Sequence, residues 1–170
     1  MPARLLLAVL AFLLANSCTG YRLGGSKPSN LKDVNSIYVA MVNNDTQFPR
    51  AAAFATNSIV DALTRDGTYR LATEDNADAR LEATLATITY SQARSNKNDT
   101  LASEELEMKL TIEWVLLDAK DPTRALDQGR ARGSTRFFVD DNLQTARQSS
   151  IPDALKRASE SLIARIADGF

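Results

Sequence analysis

The stretch Glu105-Leu-Glu-Met-Lys-Leu-Thr-Ile-Glu-Trp-Val-Leu116 alternates between polar and apolar side chains almost throughout. Its apolar positions are Leu106, Met108, Leu110, Ile112, Trp114 and Leu116. Its polar positions are Glu105, Glu107, Lys109, Thr111 and Glu113. This two-residue period predicts a β-strand with one face on a core and the other in water, which is typical of an antiparallel sheet covered on one side.

The segments on either side of this strand predict two further long strands. Residues 79–93 keep their apolar side chains on one parity as far as Leu85 and on the other parity from Ile88 onward. A β-bulge or a change of buried face would reconcile the two halves. Residues 129–139 alternate again, after a predicted turn region at residues 118–128.

The polar face of these strands carries acids and arginines. If the strand at residues 129–139 pairs with the central strand, the two sets would form cross-strand ion pairs. The acids are Glu105, Glu107 and Glu113, and the arginines are Arg130, Arg132 and Arg136. The alternative is that these three arginines form a ladder that binds an anionic ligand. Trp114 and Phe137 are predicted core aromatics, because their neighbours at two-residue spacing are apolar.

Two segments have the helical period instead. Residues 48–66 repeat apolar side chains, mostly alanines, at spacings of three and four, and Gly67 ends the pattern. Ser150-Ile-Pro-Asp153 has the spacing of a capping box, which predicts that a second helix begins there and continues to Gly169. With a buried first strand at residues 37–42, the elements predict an α+β fold. It is a two-layer sandwich with two α-helices packed on one face of a mainly antiparallel, four- to five-stranded sheet.

The first residues predict an export signal and a lipid anchor. Arg4 precedes an unbroken apolar run, Leu5–Ala15, which is too short to span a bilayer as a helix. The only cysteine, Cys18, comes next after small residues, as in a bacterial lipoprotein signal. The alternative is an ordinary secretory signal with Cys18 as an incidental free thiol. We predict a signal peptide at residues 1–17, a flexible tether at residues 18–35 after a lipidated cysteine, and a single domain at residues 36–170.

The composition argues against catalysis and against binding of metal or nucleic acid. The chain has 170 residues, a formal net charge of −1, one cysteine and no histidine. The usual Ser-His and Cys-His nucleophile pairs and His-based zinc sites are therefore ruled out. Basic residues are not in excess over acidic ones, so the composition does not indicate nucleic-acid binding. The sequence has no glycine-rich phosphate-binding motif. We predict a protein with no cofactor and no enzymatic activity. A hydrolase built on Asp or Glu would need two buried carboxylates facing each other in a cleft.

The segment Arg94-Ser-Asn-Lys97 is a candidate binding site. It places two cations in a turn between the two longest strands, and exposed loops commonly carry binding function. Arg94 and Lys97 could meet phosphorylated lipid head groups through charge-assisted hydrogen bonds. The alternative is a solvent-exposed turn that has no binding role.

Taken together, these features resemble the LptE family, the lipopolysaccharide-assembly lipoproteins of Gram-negative bacteria. The likeness extends from Cys18 nearly to Phe170. It is carried by the signal with Cys18, by Gly20-Tyr21-Arg22-Leu23, by Ile37–Val42 and the following Asn43-Asn44-Asp45-Thr46, by Pro49, and by the closing amphipathic helix.

The resemblance implies a domain of two helices on a sheet, anchored by lipid in the inner leaflet of the outer membrane. It further implies a partner, since family members plug the large β-barrel LptD and assist delivery of lipopolysaccharide to the cell surface. In the family, a basic residue in the loop between the two central strands is linked to lipopolysaccharide contact. Arg94 and Lys97 occupy the matching loop of this sequence, so the resemblance implies that role for them. The alternative function is a lipid-anchored periplasmic binding module for cell-wall or small ligands, without a barrel partner.

Overall fold

A computed structural model describes residues 27–94, 105–139 and 142–169 of the chain. The predicted signal peptide, Cys18 and Lys97 lie outside the described residues. Within the described part of the chain, neither helix combines the length and hydrophobicity that crossing a bilayer requires.

The described residues form a mixed sheet and two α-helices. The elements are β1 (Ser36–Val39), β2 (Asn43–Asn44), α1 (Ala51–Asp66), β3 (Arg70–Leu71), β4 (Ala79–Arg94), β5 (Glu105–Asp118), β6 (Ala125–Phe138) and α2 (Leu143–Asp168). The strand order is β3-β1-β4-β5-β6, and β2 also pairs with β4. The predicted α+β fold is therefore confirmed.

The sheet is mixed, whereas the sequence predicted a mainly antiparallel one of four to five strands. The long strands β4, β5 and β6 pair antiparallel as predicted. The short strand β1, however, lies parallel to both β3 and β4, and β2 lies parallel to β4. For the β1–β3 pair the reason is that α1 lies between these strands, and a helical crossover returns the chain in the same direction.

Both helices cover one face of this sheet, where the core lies. The alternation of β5 holds, since Met108, Leu110, Ile112 and Leu116 are almost wholly buried. They form one hydrophobic core with α1 and α2. Trp114 is buried and Phe137 is partly buried against the same core, so both predicted core aromatics are confirmed.

A β-bulge in β4 accounts for its change of parity. Leu85 is paired with Ile112, but the next pair is Thr87 with Thr111, so Ala86 is the extra residue. After the bulge, Ile88 and Tyr90 pack against the core although their parity is opposite to that of Leu85. The prediction of a bulge is confirmed, and the bulge reverses which alternate residues face the helices.

The predicted start of the second helix is wrong. Helix α2 begins at Leu143, where the Asn142 Oδ1 accepts a hydrogen bond from the Thr145 backbone N–H at 3.1 Å. Pro152 therefore lies inside the helix rather than in its first turn. The first turns are largely exposed and polar, so no apolar stripe marked them in the sequence.

The turn predicted at residues 118–128 is shorter in the structure. Strand β6 begins at Ala125, and a hydrogen bond of 3.0 Å from the Asp118 N–H to the Arg124 carbonyl closes a shorter turn. The described part of the predicted tether, residues 27–35, is packed on the domain, with Leu31 and Val34 buried. Isolated apolar residues in a polar segment have no period, which is why the sequence did not indicate their burial.

Asp78 attaches this N-terminal segment to the sheet. Its carboxylate accepts hydrogen bonds from the Asn35 N–H at 3.0 Å, the Ser36 hydroxyl at 2.8 Å and the Ser36 N–H at 3.0 Å. The Asn35 bond first, and then the Ser36 hydroxyl, lower the pKa of Asp78 below its ordinary value, because they favour the charged form. The carboxylate is therefore ionised at neutral pH and ties β1 to the start of β4.

Candidate functional site

The predicted basic turn begins at one end of the sheet. Arg94 is the last residue of β4, and its backbone pairs with that of Glu105 at the start of β5. The last residue of β6, Phe138, also pairs with Glu105. Helix α2 starts five residues later, at Leu143. The end of β4 and the N-terminus of α2 therefore share one end of the domain, which we call the hairpin end.

Arg147 of α2 lies against Tyr90 at the hairpin end. The guanidinium carbon is 4.5 Å from the centroid of the Tyr90 ring, within the range of a cation–π contact. Phe137 holds the same ring edge-on, with the centroids 6.4 Å apart. Burial raises the pKa of Tyr90, while the Arg147 charge lowers it. The phenol is therefore neutral at physiological pH, and its ring supports a cation.

Two polar atoms of this pair lack partners. The Arg147 Nε and the Tyr90 hydroxyl oxygen are buried, and neither has a hydrogen-bond partner among the described residues. Burying a donor without an acceptor is costly, so such atoms mark places where an ordered water or a ligand completes the bonding. A guanidinium with a free Nε is suited to the oxygens of a phosphate or carboxylate.

A cleft with a volume of about 500 Å³ opens beside this pair. Its walls are the loop at residues 45–48, the bulged part of β4 at residues 86–90, and Gln144 and Arg147 of α2. The bulge residue Ala86 is part of this wall, and bulges bend the strand that carries them. Asp45 contributes a carboxylate to the lining, so the cleft has charges of both signs.

An apolar groove adjoins the polar cleft. It has a volume of about 520 Å³ and runs between the first turns of the two helices. Its apolar lining residues are Phe48, Pro49, Ala51, Phe54 and Ile151. Phe48 lines both the groove and the cleft, and Phe54 is 46% exposed although it is a large apolar residue. A cleft that offers the Arg147 guanidinium and continues into an apolar groove fits a ligand with an anionic group and a hydrocarbon portion.

Sequence reasoning missed this site. Arg147 lay in a polar stretch ahead of the predicted helix, and Phe54 was one residue in a helical pattern. The available signal was the parity change at Ile88 and Tyr90, which indicated that the second half of β4 turns its aromatic ring toward the helix layer. Only packing brings that ring to Arg147.

The predicted ion pairs on the open face of the sheet are confirmed at one position. The Arg130 Nε lies 2.8 Å from a Glu113 carboxylate oxygen across β5 and β6. Glu107 is in register with Arg136, but its carboxylate pairs with Lys109 at 3.1 Å instead. The residue across from Glu105 is Phe138. The prediction of three pairs was wrong for two reasons: the register places Phe138 and not an arginine across from Glu105, and Glu107 pairs with Lys109 on its own strand.

The described residues contain no group of three or more potential metal ligands. Their fully buried polar side chains are all serines, so each described carboxylate is at least partly exposed. The lining of the cleft contains Asp45 without a second carboxylate facing it.

Residues 34–168 match the family described as LptE, lipopolysaccharide assembly. The chain belongs to the LptE family. This confirms the resemblance carried by the sequence motifs, and it assigns the chain to the lipoproteins of lipopolysaccharide assembly at the outer membrane, a family of non-enzymatic proteins. No curated protein matches the chain.

Solved structures share the fold at low sequence identity. A hypothetical protein from Chlamydia trachomatis has 8% identity and a TM-score of 0.55, with 79% of this chain and 96% of that chain covered. A protein from Xanthomonas campestris has 13% identity and a TM-score of 0.52, with 88% and 93% covered. At such identities the similarity concerns the fold alone.

Proposed function

We propose that this LptE-family lipoprotein binds lipopolysaccharide at the hairpin end while it plugs an LptD-like outer-membrane barrel. The observation that carries the lipid-binding part is the pair Arg147–Tyr90, with its free buried Nε, directly beside the apolar groove. Lipopolysaccharide has phosphate groups next to acyl chains, so its two chemistries match the two parts of this site.

The proposed binding mode assigns one part of the site to each part of the ligand. Arg147 donates to a phosphate oxygen, and the Tyr90 hydroxyl donates to the same group or to a bridging water. A section of one acyl chain covers Phe48 and Phe54, and each buried methylene contributes about 0.8 kcal/mol. We further propose that Arg94 and Lys97, the two basic residues predicted from the sequence, contribute positive charge to this binding.

The membrane anchor and the barrel partner complete the proposal. Acyl chains on Cys18 would hold the domain at the inner leaflet of the outer membrane. The polar open face of the sheet, with its Glu, Thr and Arg side chains, suits a water-filled barrel lumen better than a lipid environment. Family membership supports both parts.

Co-purification and mass spectrometry test the anchor and the partner together. We expect the mature chain to begin at Cys18 with the added mass of acyl groups, and to elute in detergent with a large β-barrel. An unmodified chain that elutes alone would contradict both parts. It would favour the alternative, a periplasmic binding module for cell-wall or small ligands.

The basic turn provides a prediction of its own. Replacing both residues, Arg94→Glu and Lys97→Glu, is expected to weaken lipopolysaccharide binding without unfolding the domain, because two attractive charges become repulsive. Surface capture of lipopolysaccharide measures binding, and circular dichroism checks the fold. Unchanged binding by a folded double variant would remove these two residues from the site.

A further inference from the structure

Strand β6 is a long free edge of the sheet. It has 14 residues and pairs with β5 on one side. In the described part of the chain no strand pairs with its other side, where every second residue turns its backbone N–H and C=O outward. The Asn30 side chain, which donates to the Leu126 carbonyl at 2.8 Å, covers the first residues of this edge.

The open-face side chains of β6 are strongly basic. Positions 128, 130, 132, 134 and 136 hold Gln, Arg, Arg, Ser and Arg, with no acid among them. Arg130 is paired with Glu113. Arg132 faces Thr111, and neither Arg132 nor Arg136 forms an ion pair with any described residue. Arg136 is in register with Glu107, but the Glu107 carboxylate pairs with Lys109. The edge therefore combines unpaired backbone groups with two exposed arginines that form no ion pair with a described residue.

We propose that β6 docks an extended segment of a partner protein, which adds a strand to the sheet and places acidic side chains beside Arg132 and Arg136. Backbone hydrogen bonds supply the affinity in such β-augmentation, and alternate side chains supply the specificity. The two arginines are four residues apart on one face, which corresponds to acids at every second or fourth position of the added strand.

The charges argue against a second copy of this chain as the occupant. Antiparallel pairing of β6 with itself about Ser134 would place Arg132 of one copy opposite Arg136 of the other, and like charges directly opposite are destabilising. The opposite edge of the sheet offers a much shorter strand for docking, because β3 has only the two residues Arg70 and Leu71. The docking surface is therefore specific to β6 and to an acidic partner.

A labelled peptide tests the proposal with the full chain. The probe is a nine-residue peptide with alternating Glu and Val, and its binding is followed by fluorescence anisotropy and by hydrogen exchange of the β6 amides. We expect binding with slower exchange in β6. We expect about tenfold weaker binding for Arg132→Glu or Arg136→Glu, because each change replaces an attractive cross-strand pair with a repulsive one.

Matched controls separate strand addition from general charge attraction. Arg70→Glu makes the same charge change on the exposed edge strand β3 and is expected to leave binding unchanged. A peptide with Lys in place of Glu, and a Glu peptide with N-methylated alternate residues, are expected not to bind. Equal binding of either control peptide, unaltered exchange in β6, or a peptide-independent dimer through β6 would overturn the proposal.

This surface is independent of the lipid site. Arg132→Glu is expected to leave lipopolysaccharide binding as it is, because Arg132 is on the open face of β6 and not among the residues that line the cleft or the groove. Loss of peptide binding with lipopolysaccharide binding retained therefore distinguishes the two proposals.

Discussion

Replacing Gly133 by alanine is expected to lower the free energy of unfolding by about 3 kcal/mol or more. A Cβ at this position would lie 2.0 Å from the Ala154 carbonyl oxygen and 2.7 Å from the Ala158 amide nitrogen. Both atoms belong to the backbone of α2, so no side-chain rotation can relieve the contact. The helix would have to move away from β6, which would open the core between the helix and the sheet.

Gly129→Ala is the matched control for this prediction. It lies on the same strand, but a Cβ there would meet the Trp114 side chain, at 3.0 Å from Cζ2. A side chain can move by a few tenths of an ångström, so we expect a loss of about 1 kcal/mol. Urea unfolding followed by Trp114 fluorescence and circular dichroism measures both variants. Equal stability losses would contradict the view that Gly133 sets the distance between α2 and the sheet.

Replacing Arg147 by glutamine is expected to weaken lipopolysaccharide binding by about tenfold or more. A hydrogen bond to a charged group contributes about 1.5–3 kcal/mol, and the variant loses both the charge and the fixed guanidinium above the Tyr90 ring. The loss should become smaller at high salt, since screening already weakens the wild-type contact. Titration of lipopolysaccharide at low and high ionic strength measures the effect.

Arg157→Gln provides the control for Arg147. It removes the same charge from the same helix, at an exposed position where the Arg157 Nε pairs with Asp153 at 3.1 Å. Such a surface pair contributes little to stability, about 0.3–0.5 kcal/mol. We expect binding by this variant to stay close to wild type. If both variants lose affinity equally, net charge rather than the Arg147–Tyr90 pair governs binding, and the proposed site is wrong.

Most elements of the fold could be predicted because their patterns are local. Strand β5 keeps one period over most of its length, from Glu105 to Trp114, and the parity change in β4 was enough to predict the bulge between Leu85 and Ile88. The start of α2 could not be predicted in this way, because its first turns are exposed and are held by the Asn142 cap and by packing. A capping-box spacing at Ser150 then suggested a start about two turns too late.

The residues of the candidate site also fall into two groups, those with a local sequence pattern and those brought together only by packing. Arg94 and Lys97 stood out because the sequence predicts two cations in a turn between long strands, which is a local pattern. Arg147, Tyr90 and Phe48 come from three separate elements, and nothing within any one of them indicates the others. Their meeting depends on how far the bulge bends β4 and on how closely α2 approaches β6 at Gly133.

The amino-acid sequence alone determined the α+β class, the buried face of each long strand, the helix that ends at Gly67 and the family resemblance, because periodicity and short motifs are properties of neighbouring residues. Tertiary structure alone decided the parallel placement of β1, the register that sets Glu113 opposite Arg130 but Glu105 opposite Phe138, and the cleft that joins Arg147 to an apolar groove. These features depend on register and on distances between elements far apart in the chain, and packing of the whole core sets both.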